Sequence, residues 1–300
     1  MKNELNSLLL DSTKIIESKL KEYMDKENGY GLSDIMSYSL FAGGKRLRPF
    51  IVLESYKLFS CSNDVEKALP FACALEMIQT YSLIHDDLPC MDNDDFRRGK
   101  LTCHKVYGED LALLAGDSLL TYAFELIANN TLVSDRSVRL ATACLAKYSG
   151  HTGMAGGQMV DLNSKGEIKS YQELKKMHSL KTAALIKCAL ILGYLAFTDE
   201  PSEKVINDLE LFGENVGIAF QIRDDILDVT STEEELGKPV GSDQKNGKTT
   251  IFSFMTIKEA ENEMKMLIDN AINAIDKYYS TESNFHSLSS LAKYMIERTK

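Results

Sequence analysis

The sequence predicts an all-α protein, and three observations carry that expectation. Apolar residues recur at helical spacing in one long segment after another, alternating strand patterns are hard to find, and the prolines at 49, 70, 89, 201 and 239 punctuate those segments. With 300 residues and 44% hydrophobic content the chain can bury a large core, as one domain or two tightly joined. Its formal net charge of −10 argues against a nucleic-acid partner, whose binding depends on neutralising phosphates with Lys and Arg. The six cysteines form neither a C-x-x-C pair nor a zinc-ligand rhythm, and they read as the reduced thiols of a cytoplasmic protein. Charges interrupt the first 27 residues, unlike a signal peptide. The longest apolar run, Thr182 to Phe197, is short for a membrane span and contains Lys187.

Leu5, Leu8, Leu9, Ile15, Ile16, Leu20 and Tyr23 place an amphipathic helix over the first 25 or so residues, ending before Asn28-Gly29. A second helix starts near a Ser33 cap and stops at Gly43-Gly44. Pro49 fits the first turn of the next, so Lys45, Arg46 and Arg48 crowd a helix N-terminus where their charge opposes the macrodipole. An anion held by these cations and by exposed N–H groups would resolve the conflict; a solvated basic turn is the alternative. Asn63 and Asp64 can cap a long helix, with Pro70 near its start, that runs to the aspartates. Another helix spans Glu109 to Asn129, with Leu111, Leu114, Leu119, Tyr122, Phe124 and Leu126 largely buried, and a further one spans Ser134 to Ser149. Gly153 to Asp161 has small residues that permit close helix approach and a Gln158/Asp161 pair one turn apart. Ser170 and Glu173 make a capping box for a helix that carries Lys181-Thr182 between apolar turns. Pro201 starts the next helix, and the residues from Ser253 onward read as two closing amphipathic helices.

Two acidic stretches stand out from this scaffold. The first puts five aspartates within ten residues, behind the apolar Leu83-Ile84 and ahead of Arg97-Arg98. Pro89 ends the helix there, so Asp86 and Asp87 sit at a C-terminus that already carries partial negative charge. Two carboxylates so placed repel by about 3 kcal/mol at an effective dielectric of about 20. A hard divalent cation answers this, and magnesium is commonly held by one or two carboxylates plus phosphate oxygens. On a helix Arg97 and Arg98 would diverge by about 100° and could hold two different anions. Gln79, two turns before Asp86, could reach a ligand beside that metal, whereas His85 and His104 are left unassigned. Taken alone, the cluster also fits a solvated acidic loop. The second stretch closes a helix built for burial, with Asp224 and Asp228 four apart on one face and Gln221 a turn earlier. A lysine-bearing loop from Gly237 to Thr250 follows, suited to covering a phosphate.

In this order the motifs resemble those of the short-chain trans-isoprenyl diphosphate synthases, the polyprenyl synthetase family, and most of all its bacterial farnesyl diphosphate synthases. The carriers are Gly43-Gly44-Lys45-Arg46-Leu47-Arg48-Pro49, the D-D-x-x-x-x-D of Asp86, Asp87 and Asp92 with Arg97-Arg98-Gly99, then Gly156-Gly157-Gln158, Lys181-Thr182, the D-D-x-x-D of Asp224, Asp225 and Asp228, and Lys238. The resemblance covers nearly the whole length. It implies a single domain over residues 1–300, a bundle of long helices around a central cavity with the two aspartate motifs facing each other across its mouth, and a homodimer. It implies condensation of isopentenyl diphosphate with dimethylallyl or geranyl diphosphate. Asp86, Asp92 and Asp224 would hold magnesium ions, with manganese as a substitute, on the allylic diphosphate, and Asp87, Asp225 and Asp228 would assist. Arg97, Lys181, Thr182, Gln221, Lys238 and Lys248 would bind that diphosphate. Lys45, Arg48, Gln79 and Arg98 would bind isopentenyl diphosphate, although relatives often have histidine in place of Gln79. Tyr81 and Ser82 would floor the product pocket, and a tyrosine there stops growth near farnesyl. The Pro89-Cys90 insertion also occurs in geranylgeranyl synthases, which makes that product the alternative. A terpene cyclase would not need the Lys45/Arg48 pocket, a metal phosphohydrolase would need more histidine ligands, and an inactive subunit would not keep both acidic motifs.

Overall fold

Helix follows helix, as the spacing predicts, in a computed structural model that describes residues 2–26, 30–163, 168–230, 249–280 and 285–297. The order is α1 (Lys2–Lys26), α2 (Leu32–Leu40), α3 (Leu47–Ser60), α4 (Leu69–Asp86), a hairpin of β1 (Phe96–Arg97) and β2 (Lys100–Leu101), α5 (Cys103–Tyr107), α6 (Glu109–Ala128), α7 (Asp135–Ser149) and α8 (Met154–Asn163). Then come α9 (Tyr171–His178), a π turn (Ser179–Ala183), α10 (Ala184–Phe197), α11 (Glu203–Thr230), α12 (Ile257–Ile275) and α13 (Ser287–Glu297). Most of the expected covering loop, with Lys238 and Lys248, lies outside the described residues. Contacts divide the chain into an N-terminal unit, Asn6–Leu145 with Leu192–Glu200, and a C-terminal unit, Met1–Leu5 with Ala146–Ile191 and Pro201–Lys300.

In the N-terminal unit α4 is buried over most of its length, with Phe71, Leu75, Met77 and Ile78 fully inside, which marks a core helix. Each such side chain contributes about 1.5–3 kcal/mol on burial. Helix α6 meets it through small residues: Ala112, Ala115 and Ala123 are buried, and a side chain at Gly116 would overlap the His85 ring. His85 Nε2 also lies 3.1 Å from the Leu113 carbonyl oxygen, so this histidine is a packed residue. The close approach corrects the expected burial of α6, because Leu111 and Leu114 are 38% and 51% exposed while Leu119 and Leu126 are inside. Apolar residues at 111, 113 and 114 cover more than one face of the first turn, and only the alanine-lined stripe faces α4.

Two helix starts also differ from expectation. Helix α2 opens after Gly31 in the left-handed region at φ 90°, not at Ser33, because the entering turn needs a conformation that glycine adopts without strain. Helix α4 begins at Leu69, since Asp64 accepts from the Glu66 backbone N–H at 3.1 Å and closes a local turn instead of capping a helix.

The C-terminal unit packs α11 against α12, whose start carries a full capping box between Thr256 and Glu259. At α9 the box is only half made: Ser170 Oγ accepts from Glu173 N, but Glu173 Oε2 accepts from Lys169 N. By length and composition, Glu109–Ala128 and Tyr171–Phe197 could cross a membrane, yet 78% of the latter's most apolar window is buried inside the protein, as in a core helix.

Candidate active site

Helix α4 delivers Asp86 as its last residue and Asp87 as its C-cap, where Pro89 halts the helix. The chain then folds back, with Met91 N donating to Leu88 O at 2.8 Å and Asp92 N donating to Asp86 O at 2.9 Å. The Pro89-Cys90 loop thus returns Asp92 to the peptide of Asp86, and two motif carboxylates share one helix end.

The hairpin corrects the expected helix at the arginines. Phe96 pairs with Leu101 and Arg97 with Lys100, leaving Arg98 and Gly99 as a two-residue turn with φ of 54° and 76°. Positive φ at both centres is what a type I′ hairpin demands. Arg97 Nε donates to both oxygens of Asp87, at 2.8 and 2.9 Å, and its Nη2 lies 2.6 Å from Oδ1. Burial pushes the Asp87 carboxyl up against the pull of Arg97, while Asp87 more than offsets the burial that disfavours a charged guanidinium, so Arg97 stays ionised.

The basic motif splits in two. Arg46, at φ 47°, turns inward, donating at 2.6 Å to Glu76 Oε1 and to the Leu40 carbonyl and at 3.1 Å to Glu17. It is a buried ion pair and not the anion ligand that charge alone suggests, because desolvated Glu76 on α4 is the stronger claim. Arg98 Nη1 donates to the Gly43 carbonyl, and a Cβ on Gly44 would sit 2.6 Å from its Cζ, so the paired glycines make room for that guanidinium. Arg48 Nε is buried and finds no partner among the described residues. Burial brings the Arg48 guanidinium down to about 10, with Glu76 opposing and Arg98 assisting. Lys45 is exposed, and Gln79 is half-buried one turn from Glu76. Tyr81 is half-buried with its ring edge-on to His85 at 5.7 Å, and Ser82 Oγ donates to Gln79 O.

In the C-terminal unit the site is built on the π turn. Lys181 Nζ lies 2.6 Å from Asp161 Oδ2, and Thr182 Oγ1 donates to Gln221 Oε1 at 2.7 Å. Gln221 Nε2 in turn donates to Asp224 Oδ2 at 3.2 Å, a hydroxyl–amide–carboxylate chain that fixes which way the amide points. Asp228 is buried on the face of Asp224, whereas Asp225 accepts from Ile251 N at 2.7 Å. Glycines hold the π turn from both sides: a side chain at Gly157 would overlap the Lys181 nitrogen, and one at Gly217 would overlap Ala183. Below it lies buried His178, whose imidazole burial drives down to about 4, with Asp161 opposing and Lys181 assisting.

Among the described residues no three His, Cys, Asp or Glu side chains surround one point as a ready-made metal cage. The donors at both motifs are nonetheless carboxylate oxygens, the set that suits a magnesium ion sharing its ligands with phosphate.

The sequence from 30 to 284 matches the family model described as polyprenyl synthetase. The chain is 44% identical over 275 residues to the farnesyl diphosphate synthase of Bacillus subtilis, covering 90% of this chain and 91% of that one. The chain belongs to the polyprenyl synthetase family.

This polyprenyl synthetase is also 45% identical to the geranylgeranyl diphosphate synthase of Cyanophora paradoxa, over 89% of this chain and 88% of that one. It superposes on the crystal structure of geranylgeranyl pyrophosphate synthetase from Pyrococcus horikoshii with a TM-score of 0.88 at 32% identity, covering 99% of each chain. Of the site residues expected from the sequence, the structure brings together Asp86 with Asp92, Asp87 with Arg97, and Thr182 with Gln221 and Asp224. Sequence reasoning missed the pairing of Asp161 with Lys181, for which the one-turn spacing of Gln158 and Asp161 was the only signal. It also missed Glu76, thirty residues from its partner Arg46.

Proposed function

We propose that the chain condenses isopentenyl diphosphate with dimethylallyl or geranyl diphosphate to give (2E,6E)-farnesyl diphosphate and diphosphate, as a cytosolic homodimer of one 300-residue domain. The observation that carries this reading is the repetition of one chemical kit: each unit couples an all-oxygen acidic cluster to fixed cations or donors. Asp86, Asp92 and Asp224 would hold magnesium, with Asp228 beside Asp224 on the same face. Magnesium, when bound, neutralises the departing diphosphate and so favours heterolysis of the allylic C–O bond.

The chain's own residues supply the rest. Arg97, Lys181 and Thr182 bind the diphosphate that leaves with the electron pair, and Gln221 is oriented by Thr182 and Asp224 toward the same group. Arg48, Arg98 and Lys45 hold isopentenyl diphosphate, the orphaned Nε of Arg48 being a donor awaiting an acceptor. The double bond of isopentenyl diphosphate forms the new C–C bond to the allylic cation. Proton loss, with released diphosphate as the base, restores an alkene five carbons longer. No side-chain nucleophile is required.

Incubating the purified protein with geranyl diphosphate, isopentenyl diphosphate and magnesium, then identifying the alcohols after dephosphorylation, tests the reading. Farnesol supports it, and no elongation rejects it. Geranylgeraniol would favour the second reading, which rests on the Pro89-Cys90 loop and the Cyanophora relative. Replacing Tyr81 with Ala lengthens the product by at least one five-carbon unit if this half-buried ring ends the pocket; an unchanged chain length removes that role.

A further inference from the structure

Asp161 has no part in the chemistry above, yet it makes the closest polar contact to Lys181, with Oδ2 at 2.6 Å from Nζ. We propose that Asp161 is a positioning residue that holds the Lys181 ammonium in the orientation from which it meets the allylic diphosphate. The inference rests on the diphosphate-binding role given to Lys181 above.

Lysine carries a point charge on a flexible four-carbon stem, without arginine's preorganised fork, and it leaves a π turn, where ordinary helical spacing does not dictate its direction. Something must therefore aim it. Helix α8 presses so close at Gly157 that only glycine fits against the Lys181 backbone, which ties the two elements together at that point. Asp161 stands one turn beyond Gly157 on the same face of α8, so that backbone contact also sets where its carboxylate stands. The ammonium has three protons; Asp161 accepts one and leaves two for an anion. Both side chains keep some access to solvent, 25% for Lys181 and 18% for Asp161, as a pair that receives a ligand needs. The neighbouring buried His178 is neutral, so no second cation there competes for Asp161. A bridge that only tied α8 to the π turn would have no reason to favour one substrate over the other, and this separates the two roles.

The test compares wild type, D161N, K181Q and the double variant. It measures Kd for geranyl diphosphate with magnesium alone, then KM for each substrate and kcat. D161N keeps the shape and removes the charge. It should weaken geranyl diphosphate about tenfold, leave the KM for isopentenyl diphosphate within about twofold, and add nothing on the K181Q background. Equal shifts in both KM values, an unchanged Kd, or an effect that multiplies with K181Q would each overturn the role of Asp161 while leaving the synthase reading intact. Failure of the wild type to bind geranyl diphosphate would overturn both.

Discussion

In the N-terminal unit Asp87 is gripped by the guanidinium fork of Arg97 and Glu76 accepts from Nη1 of Arg46, while in the C-terminal unit Asp224 leans on an amide and Asp225 on a backbone N–H. A fork makes two contacts in one plane and fixes an orientation, whereas an amide or a lysine makes a point contact that a ligand can redirect. In the first motif Asp87 therefore has its charge balanced by a rigid arginine within its own unit. In the second, Asp224 meets the Gln221 amide and Asp225 the Ile251 N–H, beside a π turn that carries Lys181. The difference teaches that one acidic motif can be prebuilt and its counterpart adjustable within a single chain.

The largest expected effect breaks the prebuilt side. Glu76→Leu leaves the Arg46 guanidinium buried with only the half-exposed Glu17 nearby and should destabilise the protein by about 3 kcal/mol. The double variant R46M/E76L should recover most of that in urea denaturation. A double variant no more stable than Glu76→Leu would show that Arg46 holds more than a counter-charge.

Nearly as large is the pH response of the adjustable side. Free histidine titrates near 6.5 and His178 in the fold near 4, so below pH 6.5 the unfolded chain takes up a proton that the folded chain refuses. Stability should fall by about 3 kcal/mol between pH 6.5 and 4 from this group alone. His178→Gln should flatten that part of the profile. An unaltered slope would mean that the fold's acid sensitivity lies elsewhere.

The smallest effect compares the two cations directly. Arg97→Lys exchanges a fork for a point contact and should lower kcat/KM for the allylic substrate about tenfold, whereas Lys181→Arg should change it only about twofold. Equal losses would erase the distinction between the two sides.

Much of this was legible in the sequence. Helical spacing, Pro89 and the clustering of aspartates located α4 and its acidic end, because they depend on neighbours in the chain. The rest depends on partners far away in it. Arg46 looks like its neighbours Lys45 and Arg48 until Glu76 is folded against it. The Arg98-Gly99 turn escaped notice because arginine is not a usual first residue of a type I′ turn, and only the packing of its guanidinium over Gly43 and Gly44 explains it there. The π turn leaves no mark on an apolar run that would read equally well as continuous α-helix.

That π turn gives the run from Tyr171 to Phe197 one residue more than regular winding would use. Removing one residue between 179 and 183 would let the segment wind as plain α-helix with the turns on either side kept in phase, so Leu174 and Met177 upstream and Leu185 and Cys188 downstream would stay in the core. What would be lost is the local bulge from which Lys181 and Thr182 emerge, so along this stretch a missing codon would strike the site and spare the fold.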